Sequence, residues 1–176
     1  DTAHRRTVIK GNSGNLVLKM PGTYRAPRRM LSAHMDTVPI CEGCRPVRKG
    51  MIVTSKDPAT GLGADNRAGC GVILSAAQEI LKNKLPHPPL TFAWFVQEEV
   101  GLQGSRYMTQ RLLGNPQLAF NWDGGSAVKM TVGATGGYRM QIIVNGIASH
   151  AGVAPQRGVS AIAITSLAIA DLHRNG

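Results

Sequence analysis

The chain has 176 residues, of which 43% are apolar, enough for one full hydrophobic core and part of a second. Its net charge of +10 raises nucleic acid or anionic substrates as partners. However, Arg5, Arg6, Lys10, Arg25, Arg28, Arg29, Arg45, Arg48 and Lys49 are scattered through loops and strand flanks, without a zinc finger, an RNP-like aromatic pattern or a basic helix, so no nucleic-acid partner is expected.

No apolar run has membrane-spanning length and no charged-then-apolar leader is present, so neither membrane insertion nor secretion is expected. The chain starts with Asp1 in place of Met, which suggests trimming. Cys41, Cys44 and Cys70 are too few for a disulfide scaffold and fit a reducing, cytoplasmic compartment. Cys41 and Cys44 have C-x-x-C spacing but no second pair and no helix start behind them, so an ordinary loop is expected there.

In chain order, 15–20 (NLVLKM) reads as a short strand ended by Pro21-Gly22. A strand over about 30–33 delivers His34 and Asp36 at its carboxyl end, where a period of two lets both reach one locus, and Pro39 stops further pairing. Residues 40–63 read as a long irregular loop rich in Gly and Pro. Helical spacing begins at Asn66, with Val72, Ala76 and Ile80 on one row and Ile73, Ala77 and Leu81 beside it. Asp65 stands where that helix starts, and helix capping alone would account for an Asp there.

Pro86, Pro88 and Pro89 separate the helix from 90–96, an apolar run that predicts a strand buried on both faces and that ends abruptly in Glu98-Glu99. Adjacent carboxylates at the mouth of a sheet repel one another unless cations or a shared proton compensate. A second helix is predicted over 104–113, then a strand over 117–122 that delivers Asp123 before Gly124-Gly125. Strand, helix, strand, helix, strand predicts a mostly parallel α/β sheet flanked by helices, with ligands at the carboxyl ends of the strands.

Beyond this, 127–132 predicts a further strand, and Tyr138, Met140, Ile142 and Val144 alternate with Arg139 and Gln141 as in a strand with one buried face. The change in pattern places a domain boundary near 133, dividing a domain over 1–132 from the start of an α+β domain over 133–176. The latter continues through the Ser149-His150-Ala151-Gly152 loop into a helix over 159–173. A strand, a loop and a helix cannot bury a core alone, so this second domain is expected to be cut short.

His34, Asp36, Asp65, Glu98, Glu99 and Asp123 thus converge from separate strand and loop ends. Imidazole with several carboxylates and no thiolate suits zinc, manganese or cobalt in an open hydrolytic site.

The ordered motifs H-M-D-T-V-P, G-A-D-N-R-A-G, E-E-V-G-L-x-G-S, D-G-G and S-H-A-G cover nearly the whole chain and resemble the M20 family of zinc metallopeptidases, in wording nearest its peptidase T-like tripeptidase branch. The resemblance implies a zinc exopeptidase-like catalytic domain with a lid and dimerisation domain. In it His34 and Asp123 bind one Zn2+, Asp65 bridges two, Glu99 binds the second, Asp36 orients His34, and Glu98 is the general base. It further implies a cis peptide at Asp65-Asn66, and an oxyanion-stabilising role across a dimer for His150, which otherwise reads as a loop histidine. The family's last metal-binding histidine follows the lid. His173 lies in a helix where relatives place no ligand, and His4 and His87 read as surface residues, so the sequence is expected to be a fragment with little activity alone.

The implied function is hydrolysis of short peptides in the cytoplasm by a homodimer. The alternatives are an M20-type amino-acid deacylase or carboxypeptidase, or a non-catalytic metal-binding or dimerisation module.

Overall fold

The computed structural model describes residues 1–126, 128–138 and 140–175. Contacts divide the chain into two compact units, Asp1–Lys129 and Met130–Gly176.

The first unit is built on a sheet of four strands: β1 (Leu16–Met20), β2 (Arg29–His34), β5 (Leu90–Phe95) and β6 (Leu118–Asn121), in the order β1-β5-β2-β6. β5, β2 and β6 run parallel, and β1 pairs antiparallel with β5. The sheet is therefore mixed and mostly parallel, as its apolar central strand predicts. Every residue of β5 except Phe95 is buried. Leu90, Phe92 and Trp94 pack with Met20, Ala33, Ile73 and Ala77 on one face, and Ala93 packs with Met108 and Leu113 on the other. Each large side chain removed from water here contributes about 1.5–3 kcal/mol.

Helix α1 (Ala64–Asn83) covers the first face. Its buried row runs through Asn66, Gly69, Ile73 and Ala77, while Val72 and Leu81 are exposed, so only one of the two expected rows faces the sheet fully. Gly69 is required by this close approach: a Cβ there would collide with the Asn66 side chain and the Trp122 carbonyl. Lys84 closes the helix in the left-handed region.

Three expectations need correction in this unit. The 40–63 segment contains a hairpin, β3 (Pro46–Lys49) and β4 (Ile52–Ser55), turning at Gly50 with φ 61°; its Arg and Lys residues masked the alternation. The helix expected over 104–113 is two short ones, α2 (Gln103–Arg106) and α3 (Gln110–Leu113). Thr109 breaks it, with an extended backbone whose N–H donates to Asp1 Oδ2 and a hydroxyl that accepts from Arg6. His87 is buried, its backbone N–H donating to Thr23 Oγ1 and its ring donating to the Pro88 carbonyl.

The second unit holds α4 (Ala161–Asn175), whose first turn is capped by the Ser160 hydroxyl accepting from the Ala163 N–H. Ile147 and Val159 form an antiparallel bridge. The strands expected over 127–132 and 138–144 do not form among the described residues; Ala127 and Arg139 lie outside them. Alternation makes a strand only where a neighbouring backbone accepts its hydrogen bonds, and the described residues of this unit supply only that one bridge. Among the described residues no helix is long and apolar enough to cross a membrane.

Candidate metal centre

The carboxyl ends of β2, β5 and β6 and the amino end of α1 bring the candidate residues of the first unit to one place. His34 is the last residue of β2 and is 3% exposed. Its Nδ1–H donates to the Asp36 carbonyl at 3.0 Å, because a carbonyl can only accept. That fixes the tautomer, so in the neutral ring Nε2 presents a lone pair. It faces Asp65 Oδ1 at 3.0 Å, Asp123 Oδ1 at 3.7 Å and Glu98 Oε2 at 3.9 Å. Lone pairs gathered this closely repel unless a proton or a cation lies among them.

Asp36 is not itself turned toward Nε2. Its Oδ1 accepts the Glu98 N–H at 2.9 Å and its Oδ2 accepts the Glu99 N–H at 3.1 Å, while Oδ1 stands 3.5 Å from His34 Nδ1. One carboxylate therefore ties the histidine to the loop that carries both glutamates. That loop leaves β5 through Gln97, at φ 56°, and folds back as Gly104 N–H donates to the Val96 carbonyl.

Asp65 does not cap α1. Gly63 occupies that position without a side-chain bond, and Asp65 itself has non-helical angles (φ −81°, ψ 107°) with its carboxylate on His34. The Asp65-Asn66 peptide is cis. Asn66, 2% exposed, donates to the Trp122 carbonyl at 2.6 Å and accepts the Gly69 N–H at 3.1 Å, so it ties the start of α1 to the residue before Asp123.

Donor atoms of His34, Asp65 and Glu99 lie within 4.8 Å of one another. Two donors on a single zinc stand roughly 3–3.5 Å apart, from bond lengths near 2 Å and tetrahedral angles. The 3.0 Å separation of His34 and Asp65 fits one shared ion. The donor set, one imidazole and carboxylates, suits a divalent cation of the zinc, manganese or cobalt kind.

The electrostatics express the same crowding. Burial lowers the His34 pKa, but Asp123, Asp36 and Glu98, with the Asp36 carbonyl, raise it by more, leaving it above the usual 6.5. Glu98 is pushed above its ordinary value of 4.5, first by burial and then by Asp123, Glu99 and Asp36, against an opposing pull from His34. A cavity of about 200 Å3 opens beside these groups, its lining including His34, Glu98, Asn121 and Asp123 as well as the apolar Phe95 and Leu102.

His34, Asp36, Asp65, Glu98, Glu99 and Asp123 thus stand together. His150 belongs to the second unit, where it is exposed and its Nδ1 accepts the Gly152 N–H. His173 lies exposed in the last turn of α4. Sequence reasoning missed Ser32 and Asn121, polar residues paired across β2 and β6, and gave Asn66 no role. It also missed Cys70, whose thiol donates to the His34 carbonyl from α1. Polar residues at the ends of otherwise apolar strands were the available signal. The Cys41 and Cys44 thiols are free; Cys41 is buried and Cys44 approaches Ser55 Oγ and the Leu62 carbonyl.

Comparison with known proteins gives two family matches. A model described as Peptidase family M28 matches residues 15–152, and one described as Peptidase dimerisation domain, of the M20 type, matches residues 132–176. The chain is similar to the uncharacterized protein YqjE of Bacillus subtilis, at 31% identity over 91% of this chain and 43% of that one. It is similar to Carboxypeptidase G2 of Pseudomonas sp., at 32% identity over 84% of this chain and 36% of the relative. Among solved structures it resembles a tripeptidase from Staphylococcus aureus with a TM-score of 0.68 and 29% identity, covering 89% of this chain and 42% of that one. The chain therefore spans less than half the length of these relatives.

Proposed function

Because the chain belongs to the M20/M28 peptidases, we propose that the protein hydrolyses peptide bonds in short peptides at a dinuclear zinc centre, with Glu98 as general base. What supports this most is the meeting of His34 Nε2 with the Asp65, Asp123 and Glu98 carboxylates over 3.0–3.9 Å, an arrangement that requires a proton or a cation. In this reading His34 and Asp123 would hold one ion and Glu99 the second, with Asp65 available to both. Asp65 and Glu99 alone would give the second ion two protein donors, where catalytic zinc ordinarily has three.

Bound zinc supplies Lewis acidity, making water a nucleophile near neutral pH and polarising the amide carbonyl. The chain's own residues do the rest. Glu98, outside the proposed ligand set and lining the cavity, accepts a proton from the attacking water and delivers it to the leaving amine nitrogen. Asp36 holds the His34 ring and the Glu98-Glu99 backbone in a fixed relation. As the resemblance implies, His150 would reach the site of a second copy of the chain and stabilise the developing oxyanion there, and residues 132–176 mediate homodimerisation, a role the dimerisation-domain match supports. Three free thiols favour the cytoplasm.

The similarity to Carboxypeptidase G2 supports one second reading, removal of a C-terminal residue by the same metal chemistry. The test is Glu98→Ala in the protein expressed from its complete coding sequence. Metal content is expected to stay while tripeptide hydrolysis falls by about 10²–10⁴-fold. Parallel loss of metal would make Glu98 a ligand, and persistent hydrolysis would remove it from the reaction.

A further inference from the structure

We propose that Asn121, itself oriented by Ser32, is a positioning residue that fixes the Asp123 carboxylate in the posture a metal ligand needs; this rests on the reading of Asp123 as a ligand. The β2-β6 register places Ser32 directly opposite Asn121. Ser32 is 4% exposed, and its hydroxyl donates to Asn121 Oδ1 at 2.9 Å. With the amide oxygen so engaged, the amide nitrogen must point the other way, and Asn121 Nδ2 donates to Asp123 Oδ2 at 3.3 Å. The free oxygen, Oδ1, is left facing His34 Nε2.

Asp123 has need of such a holder. It lies beyond the last residue of β6, its side chain is 34% exposed, and the chain continues into Gly124 and Gly125, both at positive φ. The backbone before it is already anchored on both sides. The Trp122 N–H donates to the Ser32 carbonyl at 2.9 Å, and the Trp122 carbonyl accepts from Asn66. Rotation of the Asp123 carboxylate is not limited by these backbone bonds, and the Asn121 amide restrains it. An amide suits the position: a cation there would compete with the metal for the same carboxylate, and a carboxylate would repel it.

The relay predicts a metal-affinity effect without a folding effect. Hydrogen-bond partners of metal ligands typically change affinity by about 10–100-fold. The measurement is Co2+ affinity, by chelator competition and the visible absorption of bound cobalt, in the protein expressed from its complete coding sequence. Asn121→Ala is expected to weaken binding within that range and leave the metal-free melting temperature unchanged. Ser32→Ala is expected to weaken binding less, and the double variant no more than Asn121→Ala alone. Ser32→Ala also carries the test should Asn121→Ala fail to fold.

Wild-type affinity in Asn121→Ala, or additive losses in the double variant, would overturn the relay while Asp123→Ala still abolishes binding. A purely structural role for Asn121 would lower the metal-free melting temperature and spare the affinity, which also overturns it. Undiminished affinity in Asp123→Ala would instead overturn the ligand reading beneath it.

Discussion

At the scale of single residues, the centre turns on what His34 Nε2 can tolerate. With Nδ1–H committed to the Asp36 carbonyl, three carboxylates around Nε2 are stable only with a proton or an ion between them. This gives a pH prediction for the metal-free protein. A group whose pKa is raised on folding contributes stability that is full below its unfolded value and is lost as pH rises through its folded value. For His34 the loss starts near 6.5 and runs to the higher folded value; for Glu98 it starts near 4.5. A divalent ion binds the deprotonated ligands and replaces the proton, so its stabilisation should grow over the range in which the proton is lost. Melting temperatures with chelator and with zinc at about pH 6, 7 and 8 check this, and a zinc increment that is flat or shrinking with pH would contradict it. His34 and Asp36 were legible because a strand's period of two puts them on one side. Ser32 and Asn121 were not, because their roles depend on a register between strands far apart in sequence, which no local pattern contains.

At the scale of elements, α1 does two jobs. Its buried row carries the core and its first turn carries Asp65 to the site. The 3.6-residue period was legible, but it could not decide between adjacent apolar rows; packing against β5 selects Ile73 and Ala77 and leaves Val72 and Leu81 in solvent. Ile73→Ala should therefore destabilise the protein by about 2–5 kcal/mol, whereas Val72→Ala, half exposed, should fall within about 0.5 kcal/mol. Denaturant midpoints of the two variants check the assignment, and equal costs would place the helix in a different rotation. The start of α1 was ambiguous for a physical reason. An Asp at that point serves equally well as a cap or as a ligand, and only the direction of its carboxylate separates the two. The split between α2 and α3 was hidden because its cause, the hold of Asp1 and Arg6 on Thr109, lies about a hundred residues away.

At the scale of the whole molecule, part of the net charge of +10 is engaged within the chain itself. Several cations of the first fifty residues are spent on the chain's own carbonyls: Arg6 on Tyr107, Lys10 on Arg5, Arg28 on Leu90 and Arg48 on Gly50. The mostly parallel sheet with candidate ligands at its strand tips was legible because an apolar run ending in two acids has few structural explanations. The second unit was less so: among the described residues its alternating segment forms no strand, and the apolar side chains of α4, such as Ile162, Leu167 and Leu172, are exposed. One divalent ion is proposed to lie among side chains drawn from β2, α1 and the loop after β6. Anomalous diffraction at the zinc absorption edge, from crystals of the zinc-loaded protein, tests it most directly. The expected result is a peak within about 2.0–2.2 Å of both His34 Nε2 and an Asp65 carboxylate oxygen; a loaded crystal whose zinc peaks all lie away from His34 would rule this placement out.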